Sequence, residues 1–181
     1  MGMNTHNASL VGYFPKVTHP GVEWLGNASV LEICSVSQCI SKGPEDWINH
    51  WKHNPLGFYD SEATALEVVA SDAGAFDLYA YKLYPFRCLD GIREAVELPA
   101  NLDELHTAYE LLGYDIATRS TTDFFECSPL SCNAGARDYP VNQYSLLPTP
   151  EVAQHILSAI CESGTFEPGP YYLFEVYRKQ K

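Results

Sequence analysis

The sequence is short of positive charge and has no long apolar run. It carries 11 Lys and Arg against 23 Asp and Glu, which gives a net charge of −12. Nonspecific nucleic-acid binding needs basic side chains that neutralise phosphates, so we expect no nucleic-acid partner. For the same reason we expect no membrane partner. No segment approaches the ~18 apolar residues of a membrane span. Residues 1–7 lack the form of a signal peptide, so we expect a cytoplasmic protein.

Several motifs that identify enzymes are also missing. The chain has no glycine-rich phosphate loop, no Gly-x-Ser-x-Gly elbow and no His-Glu-x-x-His helix. Without these motifs, the sequence does not support a phosphate-binding protein, a serine hydrolase or a metalloprotease of the common types. What remains is an apolar content of 46% with 12 Tyr, which predicts an ordinary packed core.

Two matching cysteine segments stand out against this background. The segments Cys34–Cys39 and Cys127–Cys132 both read Cys-Ser followed by three residues and a second Cys, and they begin 93 positions apart. Further matches keep the same order along the chain: residues 10–13 with 111–114, and residues 79–84 with 172–177. Self-similarity of this kind predicts a repeated architecture.

The coarse pattern predicts an α+β fold made of two fused, similar β-β-α-β halves. We expect a tail at residues 1–8, halves at 9–98 and 108–181, and a linker at 99–107, forming one pseudo-symmetric domain with an antiparallel sheet and helices packed on one face. The expected strands are residues 9–15, 29–34, 76–86, 109–118, 141–147 and 171–177. Helices are expected from Pro44, over residues 62–71 closed by Gly74, and from Pro150 to Gly164, with a hairpin at Asp90-Gly91.

The paired cysteines admit four interpretations. They are buried small side chains, since free cysteine packs as a modest hydrophobe. They form disulfides within each segment, Cys34–Cys39 and Cys127–Cys132, if each loop doubles back. We expect no cofactor; in the third interpretation, the alternative to that expectation, all four cysteines bind one zinc ion, although four intervening residues is an unusual spacing for zinc. The fourth interpretation is catalysis by a thiol.

A catalytic thiol needs a nearby cation, histidine or helix start to lower its pKa. The candidate nucleophiles are Cys39, Cys127 and Cys132, and the nearest candidate bases in sequence are His50 and His53. No spacing in the chain matches the local signature of a cysteine protease or a redox dithiol. Adjacency in sequence is therefore the only support for this hypothesis.

Residues 47–59 form the second unusual stretch. They combine aromatic rings with His and Asn at a place where the two halves differ in length, and such a loop is typical of a small-ligand pocket. The alternative is a short helix whose Trp residues face the core. The candidate ligand-binding residues are Trp47, His50, Trp51, His53, Asn54 and Arg119.

These observations favour a binding or interaction protein, with an inhibitory role among the possibilities. Its cleft would lie near the two cysteine segments, with residues 47–59 as one wall, and its partner would be a protein with a basic surface or a small ligand. A thiol-dependent enzyme and a structural four-cysteine zinc site are the alternatives, so the sequence leaves enzymatic activity open.

Overall fold

The computed structural model describes residues 7–40, 43–44, 52–71, 73–99, 104–119, 124–133 and 135–181. The predicted helix after Pro44 lies outside these residues, as does most of the predicted tail. The strands are β1 (Ser9–Lys16), β2 (His19–Pro20), β3 (Glu32–Ile33), β4 (Asp77–Leu89), β5 (Ile92–Ala95), β6 (Tyr109–Thr118) and β7 (Tyr171–Lys179). The α-helices are α1 (Glu62–Val68), α2 (Gly135–Asp138) and α3 (Pro150–Ser163).

One antiparallel sheet organises the protein. Its strand order is β1-β4-β7-β6, and β5 pairs with the far end of β4, while β2 and β3 form a separate small ribbon. The predicted α+β class with an antiparallel sheet is confirmed. Within the described residues, no helix combines the length and apolar character that crossing a bilayer requires.

Different parts of the chain pack on the two faces of the sheet. Residues directly opposite each other in the strand register share a face. One face, which we call the helix face, carries Tyr109 and Leu173 and packs against α1 and α3. The other, which we call the loop face, carries Phe174 and Asp115 at the same register position, and the cysteine segments cover it.

Local signals explain the elements that were predicted well. Helix α3 begins at Pro150 with Thr149 as its cap, whose hydroxyl accepts the Val152 N–H at 3.3 Å. It ends at Gly164, which has the left-handed φ of 59° that favours glycine. The Asp90-Gly91 hairpin is confirmed, with φ of 50° and 77° at its two turn residues, as a primed turn requires.

A side-chain amide shapes the turn that precedes α1. Asn54 Nδ2 donates to the Val11 carbonyl at 2.9 Å, and its Oδ1 accepts the N–H groups of Leu56 and Phe58 at 3.0 and 3.2 Å. The predicted ligand-binding Asn54 thus uses its amide to hold this turn against β1.

The turn that precedes α3 has the same construction. Asn142 Nδ2 donates to the Leu112 carbonyl at 2.7 Å, and its Oδ1 accepts the N–H groups of Tyr144 and Leu146 at 2.9 and 3.3 Å. Each turn then makes one paired bridge to its edge strand, Tyr13 with Tyr59 and Tyr114 with Leu147.

Three predicted elements differ from the structure. Residues 141–147 form the Asn142 turn rather than a strand, because the side-chain amide takes N–H groups that a ladder would use. Of the strand predicted over residues 29–34, only β3 forms. Helix α1 ends at Val68, so Gly74, which lies in a short 3-10 turn at Ala73–Ala75, does not close it.

Candidate functional site

Three cysteines converge on the loop face. The sulfur atoms of Cys39, Cys127 and Cys132 all lie within 4.8 Å of one another, and we call this set the thiol cluster. Cys39 is exposed, and the other two are half-buried. The cluster therefore joins both cysteine segments and opens to solvent on the Cys39 side.

The fourth predicted ligand is elsewhere. Cys34 directly follows β3, is 1% exposed, and its sulfur accepts the Tyr79 hydroxyl at 3.5 Å. Burial raises its pKa to about 11. The predicted four-cysteine zinc site is thus reduced to three sulfurs in the structure. Cys34 fits the alternative in which a cysteine serves as a buried small side chain.

The second segment doubles back on itself. The Ser128 carbonyl accepts the N–H groups of Ser131 at 3.1 Å and Cys132 at 2.8 Å. This turn is anchored to the edge strand because Thr118 donates its N–H to the Cys127 carbonyl at 2.8 Å. The two sulfurs of the segment are brought together as a result, although they remain free thiols.

A buried lysine shapes the first segment. Lys16, at the end of β1, is 1% exposed, and its Nζ donates to the carbonyls of Ser35, Val36 and Ser37 at 2.6, 3.2 and 2.5 Å. Burial lowers the pKa of Lys16 to about 7, while the negative charge of Asp115 acts in the opposite direction. Three carbonyl acceptors match the three donors of an ammonium group.

A buried carboxylate connects the two segments. Asp115 is 0% exposed; its Oδ2 accepts the Ser35 hydroxyl at 2.7 Å and the Val36 N–H at 2.8 Å. Its Oδ1 accepts the Ser128 hydroxyl at 2.7 Å and the Ile116 N–H at 2.9 Å. Burial raises the pKa of Asp115, and the hydrogen bonds from both serines oppose that effect.

The thiol cluster concentrates negative charge on one sulfur. A hydrogen bond from Cys127 lowers the pKa of Cys132 to about 5; Ser37 Oγ at 3.4 Å and the Ser128 N–H at 3.5 Å act in the same direction. The same hydrogen bond raises the pKa of Cys127, and burial raises that of Cys39 to about 11. These shifts favour a thiolate at Cys132 and thiols at Cys39 and Cys127.

The other predicted site residues lie within residues 47–54 and at Arg119. Trp47, His50 and Trp51 lie outside the described residues. The His53 ring packs 4.5 Å from the Tyr59 ring and 5.1 Å from the Phe124 ring, measured between centroids.

Arg119 likewise holds loop structure together. Its Nη2 donates to the Pro55 carbonyl at 2.7 Å, and its guanidinium lies 5.7 Å from the Phe125 ring centroid. The structure therefore brings Arg119 to the loop that carries His53 and Asn54, and ligand binding by these three residues stays a prediction.

The sequence reasoning missed Lys16, Asp115 and the only disulfide among the described cysteines. Cys88 and Cys161 form that bond between β4 and α3, with Cα atoms 6.1 Å apart, while the four cysteines of the two segments are free in the structure. For Asp115, the available signal was a charged residue between Tyr114 and Ile116 in a predicted strand, whereas Lys16 lies just beyond the predicted strand at residues 9–15 and gave no such signal.

Two cavities lie away from the thiol cluster. One, of about 330 Å³, is lined by charged side chains at the ends of β4 and β7, including the ion pair of Arg178 with Glu32 at 2.8 Å. The other, of about 510 Å³, is a mostly apolar groove beside α3. Neither is lined by a cysteine, so the predicted cleft at the cysteine segments does not coincide with either of them.

No protein family, curated protein or solved structure matches this chain. Fold and site therefore define its class only broadly, as a mixed α+β protein with a buried Lys–Asp network beneath three converging cysteines.

Proposed function

We propose that this protein binds a single thiophilic metal ion through Cys39, Cys127 and Cys132. The observation that carries the proposal is the approach of three sulfurs, from two distant segments, to within 4.8 Å of one another. Around a zinc ion with Zn–S bonds of about 2.3 Å, tetrahedral geometry separates two sulfurs by roughly 3.8 Å. The cluster needs only small side-chain adjustments to reach that spacing.

The number of sulfurs favours an exchangeable ion over a purely structural one. Structural zinc sites usually close with four protein ligands, whereas sites that exchange a ligand keep one position open. Thiolates select soft ions such as Zn²⁺ and Cu⁺. With three sulfurs and an exposed Cys39, this site would leave the fourth position to an external ligand.

Metal titration of anaerobic protein tests the proposal. Apo protein titrated with Co²⁺, as a spectroscopic substitute for Zn²⁺, should bind one ion per chain and develop sulfur-to-cobalt charge-transfer absorption. Replacing Cys39 by Ala should weaken binding by more than about 100-fold, because a lost ligand exceeds the 10–100-fold effect of outer-shell changes.

Cys34→Ala is the matched control, since Cys34 belongs to the same segment but lies apart from the cluster. It should bind Co²⁺ with the affinity of the wild type. Equal loss of affinity in both variants would contradict the assignment of ligands, and a wild type that binds no ion would overturn the proposal itself.

A thiol-dependent reaction is the second candidate function. The favouring observation is that Cys132 sulfur receives the Ser128 N–H and lies beside the Ser37 hydroxyl, contacts that stabilise a thiolate. In metal-free protein at pH 6, Cys132 should react with iodoacetamide at least about tenfold faster than the more exposed Cys39.

Peptide mapping after partial alkylation measures this difference site by site. Cys127→Ala should slow the reaction of Cys132 because it removes a hydrogen-bond donor. Cys34→Ala should leave the rate unchanged. Preferential labelling of Cys39 would contradict a stabilised thiolate at Cys132.

We further propose that the two halves are diverged copies of one unit. The matching Asn54 and Asn142 turns support this, as does the arrival of Ser35 and Ser128, which occupy equivalent places in their segments, at one carboxylate. Lys16 and Asp115 have no counterpart of the same charge in the other half. Binding of a partner with a basic surface stays a prediction that rests on the net charge of −12.

A further inference from the structure

Both cysteine segments are hydrogen-bonded to the same buried carboxylate. We infer that Asp115 is the positioning residue of the thiol cluster, holding Cys39 of one segment against Cys127 and Cys132 of the other. The inference rests on the proposed metal-binding function. It adds that assembly of the ion site depends on a side chain that touches none of its ligands.

The first arm runs from Asp115 through the first segment. The Ser35 hydroxyl donates to Asp115 Oδ2 at 2.7 Å, and Ser35 Oγ in turn accepts the Ser37 N–H at 3.0 Å. This places Ser37 Oγ 3.4 Å from the sulfur of Cys132. Two residues later the same segment delivers Cys39 to the cluster.

The second arm runs through the second segment to the same sulfur. The Ser128 hydroxyl donates to Asp115 Oδ1 at 2.7 Å and also accepts the Leu130 N–H at 3.2 Å, which fixes the turn. The backbone N–H of Ser128 then points at Cys132 sulfur, 3.5 Å away. Both arms therefore link the Asp115 carboxylate to the surroundings of Cys132.

The arrangement requires a carboxylate rather than an amide. Each group hydrogen-bonded to Asp115 donates: two serine hydroxyls and the N–H groups of Val36 and Ile116. An asparagine has one acceptor oxygen and one NH₂ group. On one of the two arms, the NH₂ group would therefore point at groups that are themselves hydrogen-bond donors. The side chain is 0% exposed, so water cannot replace the lost partner there.

Asp115→Asn tests the inference in the cobalt titration. We expect Co²⁺ binding 10–100-fold weaker than in the wild type, the usual effect of changing an outer-shell partner. The charge-transfer absorption per bound ion should fall below the wild-type value, because a cysteine that is positioned less firmly contacts the ion for less of the time. A general loss of stability would not change that ratio.

Asp77→Asn is the matched control. Asp77 also accepts a hydroxyl, that of Thr18 at 2.5 Å, but it lies at the opposite end of the loop face from the thiol cluster in the strand register. It should leave both the affinity and the absorption per ion unchanged. An Asp115→Asn protein that folds and binds Co²⁺ with wild-type affinity and spectrum would overturn the inference.

If Asp115→Asn does not fold, variants that interrupt only one of the two arms test the positioning role of Asp115. Ser35→Ala and Ser128→Ala each remove one hydroxyl from the carboxylate and should each weaken Co²⁺ binding. Wild-type affinity in both would overturn the inference. If the wild type binds no ion, the proposed function is wrong, but the positioning role of Asp115 can still be tested. That test measures without metal how closely the two segments approach.

That test uses oxidation by diamide in a Cys127→Ala background. Cys39 and Cys132 are then the remaining pair in the cluster, so a disulfide between them reports how closely the two segments approach. Adding Asp115→Asn should slow this cross-link several-fold. An unchanged rate would overturn the positioning role.

Discussion

Replacing Lys16 by Met should destabilise the protein by about 3–5 kcal/mol, because it removes the donor that three buried carbonyls share. Met keeps the length and apolar stem of the side chain but has no donor. The carbonyls of Ser35, Val36 and Ser37 would lose their shared partner in a place that is closed to water. Each buried polar group left without a partner costs roughly 1–3 kcal/mol.

The variant would also leave Asp115 without the compensating charge. Because the carboxylate is fully buried, its ionised form depends on nearby positive charge and on hydrogen-bond donors. We therefore expect the first cysteine segment to loosen in Lys16→Met, and with it the approach of Cys39 to the other two sulfurs.

Urea unfolding followed by circular dichroism measures the change in the free energy of unfolding. Lys181→Met is the control: it removes an exposed lysine that lies 3.0 Å from Asp77, and ion pairs at the surface contribute about 0–1 kcal/mol. Similar losses in the two variants would contradict a special role for Lys16.

Removing the disulfide should have an effect of similar size. The bond between Cys88 and Cys161 closes a loop across a sequence separation of 73 residues. Chain-entropy arguments give about 4 kcal/mol for a loop of this length. In a domain of this size, that loss lowers the melting temperature by roughly 8–16 °C.

The Cys88→Ala/Cys161→Ala protein, compared with the wild type by thermal unfolding, tests this expectation. Reducing agent should lower the melting temperature of the wild type toward that of the double variant and leave the double variant unchanged. Insensitivity of both proteins to reduction, together with six free thiols in the denatured wild type, would show that the bond does not form.

The disulfide is also relevant to the cellular compartment of the protein. Stable disulfides are typical of oxidising compartments and rare in the cytosol. The cytoplasmic location expected from the sequence stays a prediction, and the Cys88–Cys161 bond weighs against it. In an oxidising compartment, a metal ion bound to the thiol cluster would protect its three thiols from oxidation.

Elements with strong local signals could be predicted from the sequence. Strand β6 matches its predicted range, and α3 begins and ends where its cap, proline and glycine indicate. These signals act over a few residues, so neighbouring sequence is sufficient to reveal them. The strand predicted over residues 141–147 was wrong because the Asn142 side chain accepts N–H groups that strand pairing would have used.

The composition of the site could be predicted only in part. The segment pattern singled out Cys39, Cys127 and Cys132 together with Cys34, and nothing in it distinguishes Cys39 from Cys34. That distinction comes from Lys16 and Asp115, which bend the first segment from strands far away in sequence. The same limit applies to Cys88 and Cys161, whose pairing depends on how α3 lies across β4.

The position of β7 has a consequence for how the chain is made. This strand is the last element of the sequence, yet it lies between β4 and β6 in the sheet. During synthesis, which proceeds from the N-terminus at about 5–20 residues per second, β4 and β6 have no common partner until β7 emerges. The growing chain therefore carries two open strand edges, and edges of this kind invite pairing with other chains. The sheet therefore closes only when β7 is available to pair with both strands.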